Sequence, residues 1–370
     1  MNRVLQVNLE NCGGAFQLIY QAQQILKDRV QFDYYTMGIF EKNDVYHNIL
    51  EMGSKINEAD LRKNRLIGHM ILPFKFYNFL KNNRYSIIHI NSDSAWKILM
   101  YAFPAKLLKI NKIIIHSHSS EINGDYIKLK KICHYIAKKA ISYLGTEFCG
   151  CSYESVKWMY GKKMNNKNIE IINNGVNAEK FKFNQKIRDK LRKKFNVEDK
   201  IVIGTVGNFS YQKNPEFLIE IIDKMKQEKD KEYVLLFVGE GLDKIKVKKM
   251  VQDKALEDYV IFYGKTNNVN EVLNMFDIFV LPSRFEGLPV SGIEAQTNGI
   301  VSIFSSKITR EVEISNKCYY LNIDNSIKEW CNTIKNVDLN YNRKDYFKNT
   351  VMKNFDINYT ANQLEKMYNL

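Results

Sequence analysis

Short β-branched or apolar runs alternate with longer amphipathic ones along the whole chain, the pattern of βαβ units feeding a parallel sheet. In the first half the strand-like runs are Val4 to Asn8, Gln31 to Tyr35, Ser86 to Ile90, Lys112 to Ile115 and Glu147 to Gly150, with helical stretches between them. After Asn173-Asn174-Gly175 and a polar, lysine-rich stretch the series restarts with Ile201 to Val206, Tyr233 to Val238, Val260 to Tyr263, Ile278 to Leu281 and Ile300 to Phe304. The restart predicts two α/β domains with a boundary near residues 175 to 195. The closing segment, Asn340 to Leu370, is helical in character and needs a surface for its apolar face, either in its own domain or in the first.

At 370 residues the chain exceeds the size at which one hydrophobic core ordinarily keeps growing, which agrees with two domains. With 45% hydrophobic and 26% charged residues, 5 prolines and no low-complexity tract, it is expected to fold throughout without a disulfide or metal. The start, Met1 to Val7, runs straight into a strand-like segment with no apolar leader, and no stretch reaches the roughly 18 uncharged apolar residues of a membrane span. A cytoplasmic protein is therefore expected. Cys12, Cys133, Cys149, Cys151, Cys318 and Cys331 are scattered, and the spacing of Cys149 and Cys151 fits neither a zinc site nor a redox pair, so reduced, mostly buried thiols are expected. The net charge of +14 asks either for a solubility role or for an anionic partner, nucleic acid, anionic lipid or an anionic small molecule, and composition alone does not choose. No zinc-finger spacing, RNP-like aromatic motif or long Lys/Arg block supports nucleic acid.

The segment Leu281 to Ala295, LPSRFEGLPVSGIEA, carries the most chemistry. A buried strand ends at Pro282, a short loop carries Glu286 and Gly287, and a helix is expected to start around Pro289, where a proline is tolerated. Such an element aims backbone N–H groups and the positive helix end at one point, which suits a diphosphate. Glu294 lies about one turn further on, where its carboxylate can accept hydrogen bonds from ribose hydroxyls. Taken alone, the two glutamates would ordinarily be a loop charge and a solvated helix residue.

A second strand-loop-helix element is Gly204 to Asn214, GTVGNFSYQKN, in which Gly207 lets the backbone bend and Lys213 offers a point charge to phosphate. In the first half, Gly13-Gly14 follows the first strand and precedes a helical pattern, a weak signal by itself because turns use such pairs constantly. His116-Ser117-His118-Ser119-Ser120 projects from the carboxyl end of a strand, the edge at which ligands collect in open α/β folds. Two histidines in a polar loop at that edge favour a functional over a structural role.

Together these segments resemble the retaining glycosyltransferases of family 4, which adopt the two-Rossmann GT-B fold. Their E-x7-E hallmark is matched by Glu286 and Glu294, with the lead-in Asp277 to Ser283 and the following Gln296 and Gly299. The resemblance implies that Glu294 binds the donor ribose, that Glu286 lies near the donor sugar and that the backbone of Gly287, Leu288 and Pro289 meets the phosphates. It assigns Lys213 to the donor diphosphate. The arginine that usually follows the glycine is Asn208 here, so one cationic contact is missing, leaving weaker donor binding or compensation by Arg284 or another residue. The family's glycine loop usually continues with an acidic residue where this chain has Phe16, so the loop with Gly14, and no carboxylate, is assigned to the site. His118 stands where family members contact the donor sugar, with His116 either orienting it or closing the strand. Ile171 to Asn177 with Phe181 resembles the interdomain segment, and Val238-Gly239-Glu240-Gly241 is a further echo. The HSHS and GNFSYQKN segments resemble the capsule and exopolysaccharide branch.

The resemblance covers essentially the whole chain. It implies a GT-B architecture with residues 1–180 binding the acceptor, 181–345 binding the nucleotide-sugar, a C-terminal helix in 346–370 crossing back to the first domain, and an active site in the crevice between them. It implies transfer of a hexose from a nucleoside-diphosphate sugar, UDP foremost, to a glycan or lipid-linked acceptor with retention, catalysed by His118 and Glu286. The donor would be bound by Gly14, Gly207, Asn208, Lys213, Gly287, Leu288, Pro289 and Glu294. No cofactor and no obligatory metal are implied, since Lys213 and helix ends replace a cation. Two other classes remain open: a non-catalytic partner subunit of the same fold, against which Glu286, Glu294 and His118 argue while Asn208 argues for it, and a sugar-nucleotide epimerase, which needs no basic membrane face. The amphipathic pattern from Tyr126 to Ala140 sets Lys128, Lys130, Lys131, Lys138 and Lys139 beside aromatic and aliphatic residues. It fits a helix lying on anionic lipid at the inner membrane face, and equally a helix packed on the sheet with a solvated lysine face.

Overall fold

The computed structural model describes residues 2–11, 13–61, 65–122, 126–161, 168–227, 232–324 and 326–369. Cys12, one of the expected thiols, lies outside the described residues. The chain forms two compact units, Met1–Gly175 with Ile357–Leu370, and Val176–Asp356.

The first unit is built on seven parallel strands, β1 (Asn2–Val7), β2 (Val30–Thr36), β3 (Ile56–Glu58), β4 (Ile87–Ser92), β5 (Lys112–Ser117), β6 (Glu147–Gly150) and β7 (Ile169–Ile171), in the order β3-β2-β1-β4-β5-β6-β7. Because both faces are covered, the central strands read as nearly continuous apolar runs. Leu5, Ile88, Ile113 and Ile115 pack under the helices Arg65–Asn82, Ala95–Leu107 and Ile127–Leu144. On the opposite face Val4, Phe32, Tyr34, Ile87 and Ile114 pack with the helix Gly13–Leu26 and with Ala361, Leu364, Met367 and Tyr368 of the closing helix Ile357–Tyr368.

The second unit repeats the scheme with β8 (Ile201–Val206), β9 (Tyr233–Val238), β10 (Val260–Gly264), β11 (Ile278–Leu281), β12 (Val301–Ser305) and β13 (Cys318–Leu321), ordered β10-β9-β8-β11-β12-β13. Strands β3, β7 and β13 are outside the runs singled out in the sequence. Each is an outermost strand of three or four residues, partly exposed, and so shows neither a continuous apolar run nor clean alternation. In both units the chain reverses its order across the sheet, between β1 and β4 and between β8 and β11. The loops leaving those strands diverge, and ligands of doubly wound sheets bind at their carboxyl ends there. Among the described residues no helix is long and apolar enough to cross a membrane.

Candidate active site

In the second unit the reversal point joins the two loops singled out in the sequence. The β8 loop ends at Asn214, whose left-handed backbone (φ 54°) caps a helix opening with Pro215 at its first position. The β11 loop ends at Pro289, which is the cap residue of the helix Val290–Thr297 and not its first residue. The loops are tied by the Arg284 amide donating to the Gln212 carbonyl (2.8 Å), Gln212 Nε2 to the Phe285 carbonyl (3.2 Å) and Asn214 Nδ2 to the Pro282 carbonyl (3.3 Å).

Glu286 is the hub of this junction. It is buried, and its carboxylate accepts from Lys213 Nζ (2.7 Å), Ser283 Oγ (2.8 Å) and Gln212 Nε2 (3.0 Å). The carboxylate thus fixes the Lys213 ammonium, while the lysine stem crosses Gly207, where a Cβ would stand 3.0 Å from Lys213 Cε. Glu294 differs. Among the described residues its half-buried carboxyl makes no hydrogen bond or ion pair, and burial pushes it up to about 7 against the opposing pull of Lys180 and Lys213. Lys213, Glu286 and Glu294 therefore form one charged cluster beside the buried Gly287, Leu288 and Pro289. A small pocket at the end of β8 is lined by Gly207, Asn208, Lys213, Leu218 and Phe237. Asn208 is exposed, and Arg284 is held by Tyr211, stacking 4.3 Å from its ring and donating to its carbonyl at 2.5 Å.

Several motif residues serve the scaffold. A Cβ on Gly239 would stand 2.1 Å from the Gly207 carbonyl oxygen, and one on Gly241 2.4 Å from that of Phe209, so the Gly239-Glu240-Gly241 turn packs backbone to backbone on the Gly207 loop. Gln296 is buried, accepting from the Ile314 and Ser315 amides and donating to the Gly292 and Val312 carbonyls.

At the reversal point of the first unit, Gly13 (φ +81°) opens the helix after β1 and Gly14 is exposed. Phe16 is fully buried, stacked on Tyr20 at 5.8 Å and edge-on to Phe40 at 5.9 Å, so the acidic position of the family pattern is a core position here. His118, just beyond β5, joins a network the sequence reading did not single out. Its Nε2 is 2.8 Å from Asn91 Oδ1, and Asn91 Nδ2 donates to Gln6 Oε1 and to the His89 carbonyl, each at 3.2 Å. His89 Nδ1 is 2.7 Å from the Tyr368 hydroxyl and its Nε2 is 3.1 Å from His116 Nδ1. Burial pushes His89 and His118 down to about 3, with Asp93 opposing at His118, and drives His116 well below its ordinary value, so all three are neutral. The sequence signal that could have found this network is polar His89 and Asn91 inside the fully buried run of β4.

The helix Ile127–Leu144 buries His134, Ala137 and Ile141. Its lysines are not equivalent: Lys131 pairs with Glu121 at 3.2 Å, and Lys138 donates to the Lys157 and Trp158 carbonyls near the end of the helix Tyr153–Tyr160, whereas Lys128 and Lys139 are exposed. Apolar residues share the outer face, with Leu129, Ile132, Ile136 and Tyr143 exposed to 60%, 57%, 67% and 78%. Met70, Phe74, Phe103 and Leu107 are likewise exposed on the neighbouring helices of that layer.

Two parallel Rossmann-like sheets of this order make the fold GT-B. Residues 187–353 match the family model described as Glycosyl transferases group 1. Over its length the chain is similar to the capsular polysaccharide biosynthesis glycosyltransferase CapH of Staphylococcus aureus, 25% identical and covering 97% of this chain and 96% of that protein. It is also similar to the UDP-Gal:alpha-D-GlcNAc-diphosphoundecaprenol alpha-1,3-galactosyltransferase of Escherichia coli, 26% identical over 65% of this chain and 63% of that one. The crystal structure of Anabaena Alr3699/HepE in complex with UDP-glucose shares the fold with a TM-score of 0.78 at 15% identity, covering 99% of each chain. Fold, matched segment and relatives support a GT-B glycosyltransferase.

Proposed function

We propose that the protein transfers a hexose from a UDP-sugar to a glycan or lipid-linked acceptor, with retention of configuration, in cell-surface polysaccharide synthesis. One observation carries this reading: at the carboxyl ends of β8 and β11, Lys213 is fixed by buried Glu286 within the field of the Glu294 carboxyl, which has no partner among the described residues. A cation fixed beside a helix start suits a diphosphate, and a desolvated carboxyl without a partner suits ribose hydroxyls. The UDP-glucose complex of the HepE fold relative and the names of the two similar proteins support the donor and the pathway.

In transfer the bond from the anomeric carbon to the diphosphate breaks, and a bond to an acceptor hydroxyl oxygen forms, while the hydroxyl proton leaves with the diphosphate. Negative charge grows on the leaving group, so Lys213 and the helix ends act there, with Gly14, Gly207, Asn208 and the backbone of Gly287, Leu288 and Pro289 assigned to donor binding. Glu286 and His118 are assigned to the transferred sugar. The nucleotide-sugar is a substrate, and no cofactor is required. The outer face of the helix Ile127–Leu144, basic at Lys128 and Lys139 and apolar at Leu129, Ile132 and Ile136, suits an anionic bilayer that presents a lipid-linked acceptor.

The test is UDP release from a panel of UDP-sugars with and without polyprenyl-diphosphate-sugar acceptors. Acceptor-dependent release is expected. UDP binding without any release would favour the non-catalytic partner, and acceptor-independent release with an epimerised sugar would favour the epimerase.

A further inference from the structure

The hydrogen bonds around Asn91 polarise the whole histidine network from one backbone atom. The His89 carbonyl can only accept, so the Asn91 side-chain atom 3.2 Å from it is the amide nitrogen. The other side-chain atom, facing His118 Nε2 at 2.8 Å, is then the oxygen, which can only accept. His118 must carry its proton on Nε2. The same nitrogen of Asn91 faces Gln6 Oε1, so Gln6 Nε2 donates to the Tyr368 hydroxyl at 3.0 Å; that hydroxyl gives its proton to His89 Nδ1, and His89 Nε2 donates to His116 Nδ1. The Asn91 backbone is held in turn by Asn8 Nδ2, which donates to its carbonyl at 2.7 Å. Within this network His118 Nδ1 is shielded from water and, among the described residues, has no partner. A buried acceptor without a donor costs free energy until a ligand supplies one.

We infer that Asn91 is a positioning residue that locks His118 as the Nε2–H tautomer, leaving Nδ1 as an acceptor for a hydroxyl or N–H donor on the ligand. An anion at Nδ1 would meet a lone pair, so the site selects a sugar hydroxyl over a phosphate or carboxylate. This rests on the proposed sugar-transferring role of His118. The titratable groups bearing on His118 are Asp93 beside it, His116 on β5 and His89 on β4.

The test is the long-range proton–nitrogen spectrum of the full-length protein labelled at histidine nitrogen, with His118 assigned from a His118→Asn difference. Wild type should show a protonated Nε2 and a bare Nδ1 near neutral pH, and the Nδ1 resonance should move on adding the UDP-sugar the enzyme turns over. An Nδ1–H tautomer or an imidazolium would overturn the inference. Asn91→Asp puts a carboxylate against Nε2 and favours the imidazolium, so Nδ1 becomes a donor. Its kcat/KM should fall about tenfold near neutral pH, the scale of one hydrogen bond, and recover as the pH is raised. Asn91→Ala, which also loses the orientation, should show the deficit at every pH. A wild-type-shaped pH profile in Asn91→Asp would overturn the role of Asn91. The expected spectrum without sugar transfer would instead leave the tautomer standing and refute the proposed function.

Discussion

Replacing Glu294 with Gln separates the electrostatics of the proposed donor cluster from its shape. A carboxyl moved from an ordinary 4.5 to about 7 by burial loses up to about 3 kcal/mol of stability in its charged form, less what solvent reaches it. The folded value is the higher one, so between pH 4.5 and 7 the folded state keeps a proton that the unfolded state has released. Stability of the second unit should therefore decline as pH rises through that window and level off above it. Glu294→Gln should remove the decline, matching wild type near pH 4 and exceeding it at pH 8. Trp330, buried in the second unit, reports its unfolding once Trp96 and Trp158 of the first unit are replaced by Phe, which avoids treating two units as one transition. Nucleotide affinity should move the other way: charge-assisted hydrogen bonds are worth about 1.5–3 kcal/mol, so Glu294→Gln should weaken UDP roughly tenfold to hundredfold at pH 8 in calorimetry. Wild-type affinity should also rise with pH through about 7 as the carboxylate forms. Parallel stability curves for the two proteins from pH 4 to 8 would show that burial does not raise the Glu294 carboxyl, and UDP affinity unchanged by the substitution would show that this carboxyl does not hold the nucleotide.

Lys213→Met should weaken UDP about tenfold or more but leave uridine affinity unchanged, since the lysine is assigned to the diphosphate alone; equal losses for both ligands in calorimetry would place the lysine elsewhere. Gly239→Ala forces a Cβ to 2.1 Å from the Gly207 carbonyl oxygen and should cost about 1–3 kcal/mol in the Trp330-reported unfolding of the second unit. Chelation by EDTA should leave turnover intact, because Lys213 and helix ends are assigned the phosphate charge; loss restored by magnesium or manganese would contradict that assignment. Lys128→Gln with Lys139→Gln should weaken the salt-sensitive part of co-sedimentation with anionic vesicles, and Ile132→Ser with Ile136→Ser the salt-resistant part, because only the first is screened. Vesicle binding unaffected by either pair would move the membrane face away from this helix.

The alternation of apolar runs and amphipathic stretches marked the central strands of both sheets, because strands buried on two faces are apolar throughout and stand out locally. The two strand-loop-helix turns after β8 and β11 were equally legible, since the glycines, prolines and charges that shape such a turn lie close together in the chain. What those residues do to one another was not. That Glu286 is the buried partner of Lys213, and that Glu294 has no partner among the described residues and sits near 7, depends on loops after β8 and β11, which are adjacent only because the sheet reverses its order there. The edge strands β3, β7 and β13 were missed because their identity lies in pairing with a neighbour and not in their own composition. Lysines of one helix that look alike in the sequence were divided by tertiary contacts into an ion pair, a helix-end cap and a free basic face. The histidine network shows the limit most plainly, since Gln6, His89, Asn91, His118 and Tyr368 come together from β1, β4, the β5 loop and the last helix. A tautomer is set by which atom faces which. The chain supplied the residues, and only the parallel register of β1, β4 and β5 with the closing helix laid across them decided where each proton sits.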